Sequence, residues 1–450
     1  MKSRNLAIVA MSLVLAAGII SLVLLALALP GPAAQPTTNT GANKTPTAPA
    51  HHATTTPVPT PPLYVFAWHG VVSAVDVRTG KVLWHRQVSA QANERDFPVQ
   101  HGDVVYCGTS SAIYAMRAGN GALLWQAPIG AWNNGFATIN TSPIFGAQNV
   151  YFLTGPNGMV ALRMSDGQKQ WAVDGGSQRN DGYGAAGAPV LQNGVVYFGA
   201  STLYAVNAAD GTVLWKYHDT TPNPADANAE GFAVNGAINV ANGMIYFTGE
   251  DREYYALHAA DGTLAWKYAT NSVVAAFDGN QIPIVFGQGT LYYTNIVGAL
   301  DAMTGKLKWS KTIGTQELGQ TIFVSNGTFI YQNGQDVRGG LDMVAVSDAD
   351  GHSLWSMSSP RCALYQPVQD ANLVYMAGPL ACGIDTTSGH LLWTSNALND
   401  GGYVDVFAQR VIDGHLIAIH AFSSDGGEQN PKVTALNGTD GSVAWNIALP

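Results

Sequence analysis

Four short stretches have residue types and spacing suited to binding a small polar ligand. They read AWNNGFA (131–137), QRNDGYG (178–184), NAEGFA (228–233) and LNDGGY (398–403). Each places amide or carboxylate groups before a glycine and an aromatic residue, and such groups converge where sugars, peptides or small polar molecules bind. The alternative, which the pattern favours, is that Asn or Asp with Gly forms a turn and the ring fills a gap. The candidate residues are Trp132, Asn134, Phe136, Asn180, Asp181, Tyr183, Asn228, Glu230, Phe232, Asn399, Asp400 and Tyr403, with Glu317 in a comparable loop.

Other chemical motifs are absent or lie in the wrong context. GYGAAG (182–187) has the spacing of a dinucleotide-binding loop, but that loop needs a preceding strand and a following helix. Here a polar loop precedes the stretch and a strand-like run follows it. We find no serine-hydrolase, zinc-protease or phosphate-loop motif, so we predict no catalytic residues and no metal ligands. Cys362 and Cys382 either pair or remain separate buried thiols, and the sequence favours separate thiols.

Composition excludes several classes of protein. Only 11% of the residues are charged, and 50 of the 450 are glycine, which argues against coiled coils and helical bundles. The chain has 21 basic and 30 acidic residues and no basic cluster, so we expect no binding to nucleic acid.

The N-terminus has the features of a membrane anchor. Lys2 and Arg4 precede an uncharged apolar run from Leu6 to Leu29, which is long enough for a helix to cross a bilayer. We therefore predict a transmembrane signal anchor over residues 1–30, with the rest of the chain outside the cytoplasm. The alternative is a cleaved signal peptide and a secreted protein. No cysteine follows the run, so a lipoprotein anchor is not expected.

Residues 31–62 are rich in Pro, Thr and Ala and contain little that is apolar. This composition is typical of a disordered linker. We predict that it separates the membrane anchor from a folded domain at residues 63–450.

That domain consists of nine copies of one unit. VSAVDVRTGKVLW (72–84) and LYAVNAADGTVLW (203–215) are two examples, and in every copy a glycine stands four residues before a tryptophan. Apolar residues alternate before each glycine, which predicts a strand, a tight turn and a second strand. Two further strands precede each hairpin, as in APVLQNGVVYFGA (188–200). The nine tryptophans are Trp84, Trp125, Trp171, Trp215, Trp266, Trp309, Trp355, Trp393 and Trp445.

Four short antiparallel strands in each unit cannot bury their own faces, so the units must pack against one another. This arrangement predicts an all-β fold, a β-propeller with four-stranded antiparallel blades. The first unit has little before Tyr64 that could form its innermost strand. We therefore predict eight blades with an extra or shared terminal unit, and a nine-bladed ring is the alternative.

The repeat resembles that of the pyrroloquinoline-quinone (PQQ) enzyme propellers and their cofactor-free relatives, over residues 63–450. In that family the recurring Gly and Trp join neighbouring blades, so the resemblance implies a structural role for the nine tryptophans. It also implies that PQQ and calcium are possible cofactors. However, the chain lacks the adjacent cysteine pair of the alcohol dehydrogenases, and no acidic cluster matches their calcium ligands.

We therefore expect a membrane-anchored binding or protein-interaction scaffold without a cofactor. Its partner would be an unidentified protein or a small polar or glycan ligand. The alternatives are a PQQ-dependent dehydrogenase with a degenerate site and a polysaccharide-binding or envelope-organising protein.

Overall fold

A computed structural model provides the structure of the chain. It describes residues 63–449, except for 89–97, 110, 129–141, 155–157, 175–187, 200, 225–230, 270–284, 288, 294–296, 312–321, 326, 336–340, 359–361, 363–367, 379, 400–402 and 425–426. Residues 59–450 form one compact unit, and the fold is described for that part of the chain. The predicted anchor (1–30) and the linker (31–62) lie outside the described residues. Within the described part, no helix has the length and hydropathy needed to cross a membrane.

The described residues form nine antiparallel sheets, which we number as units 1 to 9 in chain order. Unit 1 contains β1 (Leu63–Trp68), β2 (Val71–Asp76) and β3 (Val82–Gln87). Unit 2 contains β4 (Val99–His101), β5 (Val104–Gly108), β6 (Ala112–Arg117) and β7 (Leu123–Pro128), and unit 3 contains β8 (Ile144–Phe145), β9 (Asn149–Thr154), β10 (Gly158–Arg163) and β11 (Lys169–Val173). Unit 4 contains β12 (Val190–Gln192), β13 (Val195–Gly199), β14 (Leu203–Asn207) and β15 (Val213–Tyr217).

The remaining units follow the same pattern with longer strands in unit 9. Unit 5 contains β16 (Val234–Ala241), β17 (Met244–Gly249), β18 (Glu253–His258) and β19 (Leu264–Ala269), and unit 6 contains β20 (Val285–Gly287), β21 (Thr290–Tyr293), β22 (Val297–Asp301) and β23 (Leu307–Lys311). Unit 7 contains β24 (Ile322–Ser325), β25 (Thr328–Gln335), β26 (Leu341–Ser347) and β27 (Ser353–Ser358), and unit 8 contains β28 (Val368–Asp370), β29 (Leu373–Met376), β30 (Ala381–Asp385) and β31 (Leu391–Ser395). Unit 9 contains β32 (Tyr403–Ile412), β33 (His415–Ser424), β34 (Gly427–Asn437) and β35 (Val443–Ala448).

Strands that are consecutive in the chain are neighbours in each sheet. In unit 4, β13 pairs with β12 and β14, and β14 pairs with β15, where Ala205 lies opposite Trp215. The register shifts next to this pair, so Leu214 is an extra residue before the tryptophan. The same shift beside the tryptophan's partner recurs in all nine hairpins. Such a bulge bends the last strand of each unit and increases its twist.

The glycine of each repeat receives the tryptophan of the preceding unit. Gly211, for example, has φ +78°, and a Cβ atom there would lie 2.7 Å from the Trp171 ring. The Trp171 indole N–H also donates to the Ala208 carbonyl, at 3.0 Å. Glycine is therefore required both by the backbone conformation and by the closeness of the ring.

This contact recurs at nine interfaces between the described units. The indole N–H groups of Trp84, Trp125, Trp171, Trp215, Trp266, Trp309, Trp355 and Trp393 donate to the carbonyls of Ala118, Met164, Ala208, Ala259, Ala302, Asp348, Thr386 and Gly438. The ninth contact joins the two ends of the domain, because Trp445 of unit 9 donates to Val77 of unit 1. The contacts therefore form a closed cycle.

Eight of these sheets have four strands, and unit 1 has three. The predicted eight four-stranded blades are confirmed for the described residues, and the further unit, unit 1, has three strands and takes a place in the cycle. Unit 1 packs between its neighbours: Tyr64 and Phe66 share one apolar cluster with Ile417 and Trp445 of unit 9. On its other side, Val72 and Trp84 share a cluster with unit 2. The core of the domain is thus a series of apolar layers between sheets.

The expectation that Cys362 and Cys382 are separate thiols is wrong. They form a disulfide, with 5.8 Å between their Cα atoms. Cys362 lies in the connection between units 7 and 8 and forms a bridge to Leu380, which brings it beside the first residues of β30. Sequence spacing does not reveal this pairing because the connection folds back onto the third strand of the following unit. Cys107 is buried and takes no part in a disulfide.

Replacing Cys362 and Cys382 with serine is expected to lower the free energy of unfolding by about 3 kcal/mol. The disulfide closes a loop with a sequence separation of 20, and a crosslink of this size limits the unfolded chain by about that amount. Denaturant unfolding of the double variant measures the change. Cys107→Ser provides a control without a disulfide, and an unchanged midpoint after reduction of the native protein would contradict the prediction.

Candidate functional site

One end of the domain is formed by connections that differ between units. Because consecutive strands run in opposite directions, the connection from one unit to the next lies at the same end of a blade as the turn between its second and third strands. We call this end the connection face. The glycine turns before each tryptophan lie at the opposite end. In the sequence, the candidate ligand-binding stretches fall between the last strand of one unit and the first strand of the next, apart from Tyr403.

Most of the predicted ligand-binding residues lie outside the described part of the chain. These are Trp132, Asn134, Phe136, Asn180, Asp181, Tyr183, Asn228, Glu230, Glu317 and Asp400. Tyr403 is the first residue of β32, and Asn399 is exposed near the end of unit 8. Phe232 is buried. The convergence of these residues on one ligand remains a prediction.

Phe232 fills the space between units 4 and 5. Its ring contacts Tyr217 of unit 4 and Tyr255 and Phe247 of unit 5 edge-on, with ring centroids 5.7, 5.3 and 6.1 Å away. His218 also contacts it edge-on, at 5.4 Å. Edge-to-face contacts of this kind are a favourable arrangement for aromatic rings. This environment matches the structural interpretation of the stretch at 228–233.

Beside Phe232 lies a cluster of charged groups that we call the acidic cluster. It consists of Asp219, Asp251, Glu253, Tyr255 and Lys267. The Tyr255 hydroxyl lies 2.6 Å from Asp251, 3.0 Å from Glu253 and 3.3 Å from Asp219. The Lys267 ammonium lies 2.6 Å from Glu253 and 3.2 Å from Asp219. Asp251 and Glu253 are almost completely buried.

Three carboxylate oxygens surround the Tyr255 hydroxyl, which has a single hydrogen to donate. The Tyr255 O–H donates to the nearest of them, on Asp251, at 2.6 Å. Burial raises the pKa of Asp251 to about 6 and outweighs the hydrogen bonds from Tyr255 and the Glu253 amide, which lower it, while the nearby charges of Glu253 and Asp219 also raise it. Asp251 therefore keeps its proton to a higher pH than an exposed carboxyl group.

The ammonium of Lys267 occupies the position that a cation would take among these carboxylates. Burial lowers the pKa of Lys267, but hydrogen bonds to Glu253 and Asp219 outweigh it, so the pKa is raised. For Asp219, hydrogen bonds from Thr221 and Lys267 outweigh burial, and the pKa is lowered. Within the residues that the structure describes, no group of His, Cys, Asp and Glu is arranged to hold a metal ion.

The acidic cluster fixes the start of the connection between units 4 and 5. Thr221 accepts a hydrogen bond from Lys267 at 2.8 Å, and the Asn223 amide donates to the Asp251 carbonyl at 2.7 Å. Asp219 belongs to the same connection. The cluster therefore attaches unit 4's outgoing chain to the edge of unit 5.

Replacing Asp251 with asparagine is expected to change how stability depends on pH. The folded pKa of about 6 lies above the ordinary value of 3.8, so the folded state keeps a proton that the unfolded state loses. The contribution of Asp251 is therefore favourable below pH 4 and is lost as the pH rises through 6. The difference is about 3 kcal/mol. In denaturant unfolding, the free energy of unfolding of D251N relative to that of the native protein should therefore rise by about this amount between pH 4 and 7.

Asp440→Asn is the matched control for D251N. Asp440 is exposed, and hydrogen bonds from Ser442 lower its pKa, so its titration has the opposite sign and a lower pH range. Like the native protein, the control should lose stability as the pH rises from 4 to 6. Parallel stability curves for D251N and the native protein would show that Asp251 is ionised throughout this range.

The acidic cluster was not among the sites predicted from the sequence. A signal was nevertheless present in EDREYY (250–255), which places three acidic residues at the turn between the second and third strands of unit 5. The corresponding turn of unit 2 reads TSS (109–111). Lys267 gave no signal of its own, because its contacts depend on the register between β18 and β19, where Lys267 lies opposite Tyr255.

The chain is similar to known proteins over most of its length. A family model described as "Outer membrane protein assembly factor BamB" matches residues 43–217, 184–328 and 293–450, which together cover most of the chain. The chain belongs to the PQQ-like β-propeller family. This membership confirms the resemblance on which the repeat analysis depended.

Individual members of the PQQ-like family show the extent of the similarity. The outer membrane protein assembly factor BamB of Yersinia pestis is 25% identical over 333 residues, which are 70% of this chain and 76% of that protein. The dehydrogenase subunit of the quinone alcohol dehydrogenase of Gluconobacter oxydans is 33% identical over 143 residues, which are 28% of this chain and 19% of that protein. The crystal structure of BamB from Moraxella catarrhalis has 15% sequence identity and a TM-score of 0.48, and it covers 72% of this chain and 90% of that one.

Proposed function

We propose that the chain is a protein-interaction scaffold of the bacterial cell envelope that binds its partner through the connection face. The observation that supports this most strongly is the extent of the similarity to BamB, which spans 76% of the Yersinia pestis protein. That protein is an outer membrane protein assembly factor by name, and assembly factors act on other proteins.

The disulfide supports a location outside the cytoplasm. Disulfides form and persist in oxidising compartments such as the periplasm and the cell exterior. Cys362 and Cys382 are paired in this domain. We propose that the apolar run from Leu6 to Leu29 anchors the domain in the membrane, with the linker at 31–62 between them. Cleavage after this run, which would release the domain, is the alternative.

The variable stretches on the connection face are the proposed binding residues. The strands and glycine turns recur in every unit, whereas these connections differ in length and side chains between units. Variable loops on a rigid scaffold commonly hold binding residues. Among them, QRNDGYG (178–184) offers amide, carboxylate and phenol groups for a protein or a small polar or glycan ligand.

Partner capture from envelope membranes tests the proposal. We expect the full-length chain, crosslinked in native membranes, to retain a partner protein in a constant molar ratio to the chain. A variant with Asn180, Asp181 and Tyr183 changed to alanine should lose this partner while keeping its melting temperature. Phe232→Ala is unsuitable for this purpose because its ring is buried between units 4 and 5. Equal retention by the native chain and the triple variant would disprove the assignment of this loop.

A quinone-dependent dehydrogenase is the second candidate, because the identity to the Gluconobacter oxydans subunit reaches 33%. The shared region is only 19% of that subunit, so the activity of the whole enzyme is not implied. Among the described residues, no group of three or more His, Cys, Asp and Glu side chains is placed to hold a metal ion. The two cysteines of the disulfide are 20 residues apart in sequence rather than adjacent.

Thermal unfolding with and without PQQ and calcium distinguishes the two candidates. A ligand at about 100 times its dissociation constant stabilises the folded state by about 2.7 kcal/mol, which gives a measurable rise in melting temperature. We expect no rise. A rise that requires both PQQ and calcium would favour the dehydrogenase.

A further inference from the structure

Unit 1 differs from the other units at its inner edge. In the eight four-stranded units, the second strand lies between the first strand and the third. In unit 1, β1 occupies the position of a second strand, since it pairs with β2 and β2 pairs with the tryptophan strand β3. Among the described residues, no strand pairs with the other edge of β1. We call this edge the β1 slot.

The turn between β1 and β2 shows which backbone groups face the β1 slot. His69 and Gly70 have φ values of 46° and 75° and form a two-residue hairpin turn, so Trp68 and Val71 exchange both hydrogen bonds. Hydrogen-bonded and non-bonded pairs alternate along an antiparallel ladder. The amide and carbonyl groups of Leu63 and Val65 therefore point away from β2 and into the slot.

Unit 4 shows what normally fills this position. Ala74 and Ala205 both lie opposite the tryptophan of their unit, and this equivalence places Val65 at the position of Tyr197. Tyr197 pairs with Val190 in the first strand of unit 4. The β1 slot thus has the geometry to accept a short antiparallel strand, with four hydrogen bonds to Leu63 and Val65.

The sequence before β1 does not suit the same kind of hairpin. In unit 4 the two turn residues are Asn193 and Gly194, with φ values of 51° and 77°. In unit 1 the equivalent positions are Pro61 and Pro62. Proline fixes φ near −65°, so neither residue can adopt the left-handed conformation that this turn requires. The strand for this slot must therefore arrive by another route than a tight turn from β1.

We propose that the β1 slot binds an extended segment of the partner protein, which completes unit 1 as its fourth strand. This deepens the proposed function and rests on it, because it assigns a recognition mode to the scaffold. Strand addition of this kind takes its affinity from backbone hydrogen bonds and its specificity from alternate side chains. The segment is short, extended and antiparallel to β1, and it places an apolar β-branched residue opposite Val65.

The side-chain preference follows from the other units. In six of the eight four-stranded units, the residue opposite the equivalent of Val65 is valine or isoleucine: Val99, Ile144, Val190, Val285, Ile322 and Val368. A partner residue at this position lies in the layer that these valine and isoleucine side chains occupy in their own units. Charged residues and proline at this position should prevent binding.

Hydrogen exchange of the full-length chain tests the proposal with a synthetic peptide as the probe. The peptide APVLQN copies residues 188–193, the first strand of unit 4. We expect the Val65 amide to exchange rapidly in the free protein and at least tenfold more slowly with millimolar peptide. A peptide with proline in place of the Val190 residue should give no protection, because it lacks the N–H that pairs with β1.

Two variants of the chain keep the result interpretable. Val65→Pro removes one N–H that faces the slot but leaves the hydrogen bonds between β1 and β2 in place, so it should fold. Its protection is read at the Leu63 amide, which also faces the slot: the peptide should slow exchange of this amide in the native chain and not in Val65→Pro. Val65→Ala shortens the side chain, retains the N–H and should keep the protection. A Val65 amide that is already protected in the free protein would overturn the proposal, as would unchanged exchange at saturating peptide. If partner capture succeeds while the peptide fails, only the β1 slot is rejected and the scaffold function stands.

Discussion

Replacing Trp445 with alanine is expected to lower the free energy of unfolding by about 3–5 kcal/mol. Trp445 is buried between units 9 and 1, where it packs against Gly80 and donates its indole N–H to the Val77 carbonyl. Alanine would leave a cavity in the cluster that includes Tyr64 and would leave the Val77 carbonyl without this donor. Denaturant unfolding of W445A measures the loss.

Val443→Ala is the matched control for W445A. Val443 lies in the same strand two residues earlier, but its side chain is 45% exposed. Surface substitutions of this kind usually change stability by about 0.5 kcal/mol or less. If W445A and V443A lose the same small amount, Trp445 does not hold the two ends of the domain together.

Replacing Gly121 with alanine is expected to destabilise the domain by about 2–5 kcal/mol. Its φ of +66° costs an alanine about 1–2 kcal/mol. In addition, the new Cβ would lie 2.6 Å from Cε3 of Trp84 and must displace this buried ring, which costs a further 1–3 kcal/mol, about the range seen for overpacked cores. Displacement also weakens the hydrogen bond from Trp84 to the Ala118 carbonyl, now 2.6 Å long. Chemical unfolding of G121A measures the sum.

Gly102→Ala separates the two causes. Gly102 has φ +59°, similar to Gly121, but a Cβ there would meet nothing within 4 Å. G102A should therefore show only the backbone cost of about 1–2 kcal/mol. Equal losses in the two variants would mean that the Trp84 ring yields to the methyl group without cost.

The repeat made most of the fold predictable from the sequence. Nine glycine–tryptophan pairs at constant spacing identify nine hairpins, and the alternation before each glycine identifies the strand that precedes the turn. Short-range sequence patterns suffice here because the same packing between neighbouring sheets recurs in every unit. The incomplete first unit was also predictable, since the residues before Tyr64 are mostly proline and threonine.

Features that depend on contacts between distant residues were not predictable. The disulfide requires the connection before unit 8 to fold back onto β30, and nothing in the spacing of Cys362 and Cys382 indicates this. The acidic cluster similarly combines Asp219 of one unit with Glu253 and Lys267 of the next. Of the proposed ligand-binding residues, Phe232 illustrates the difficulty: the same Gly-aromatic pattern suits a binding loop and a packed ring, and only its neighbours distinguish them.

The cycle of tryptophan contacts has a consequence for how the domain loses structure. Linear repeat proteins open from their terminal repeats, because each end has only one neighbour. Here unit 1 and unit 9 each contact two units, so the first and last repeats are not fraying ends. Opening at any interface must break the ring, after which the exposed units lose support on one side. Unfolding of this chain is therefore more cooperative than that of an open array with the same repeats.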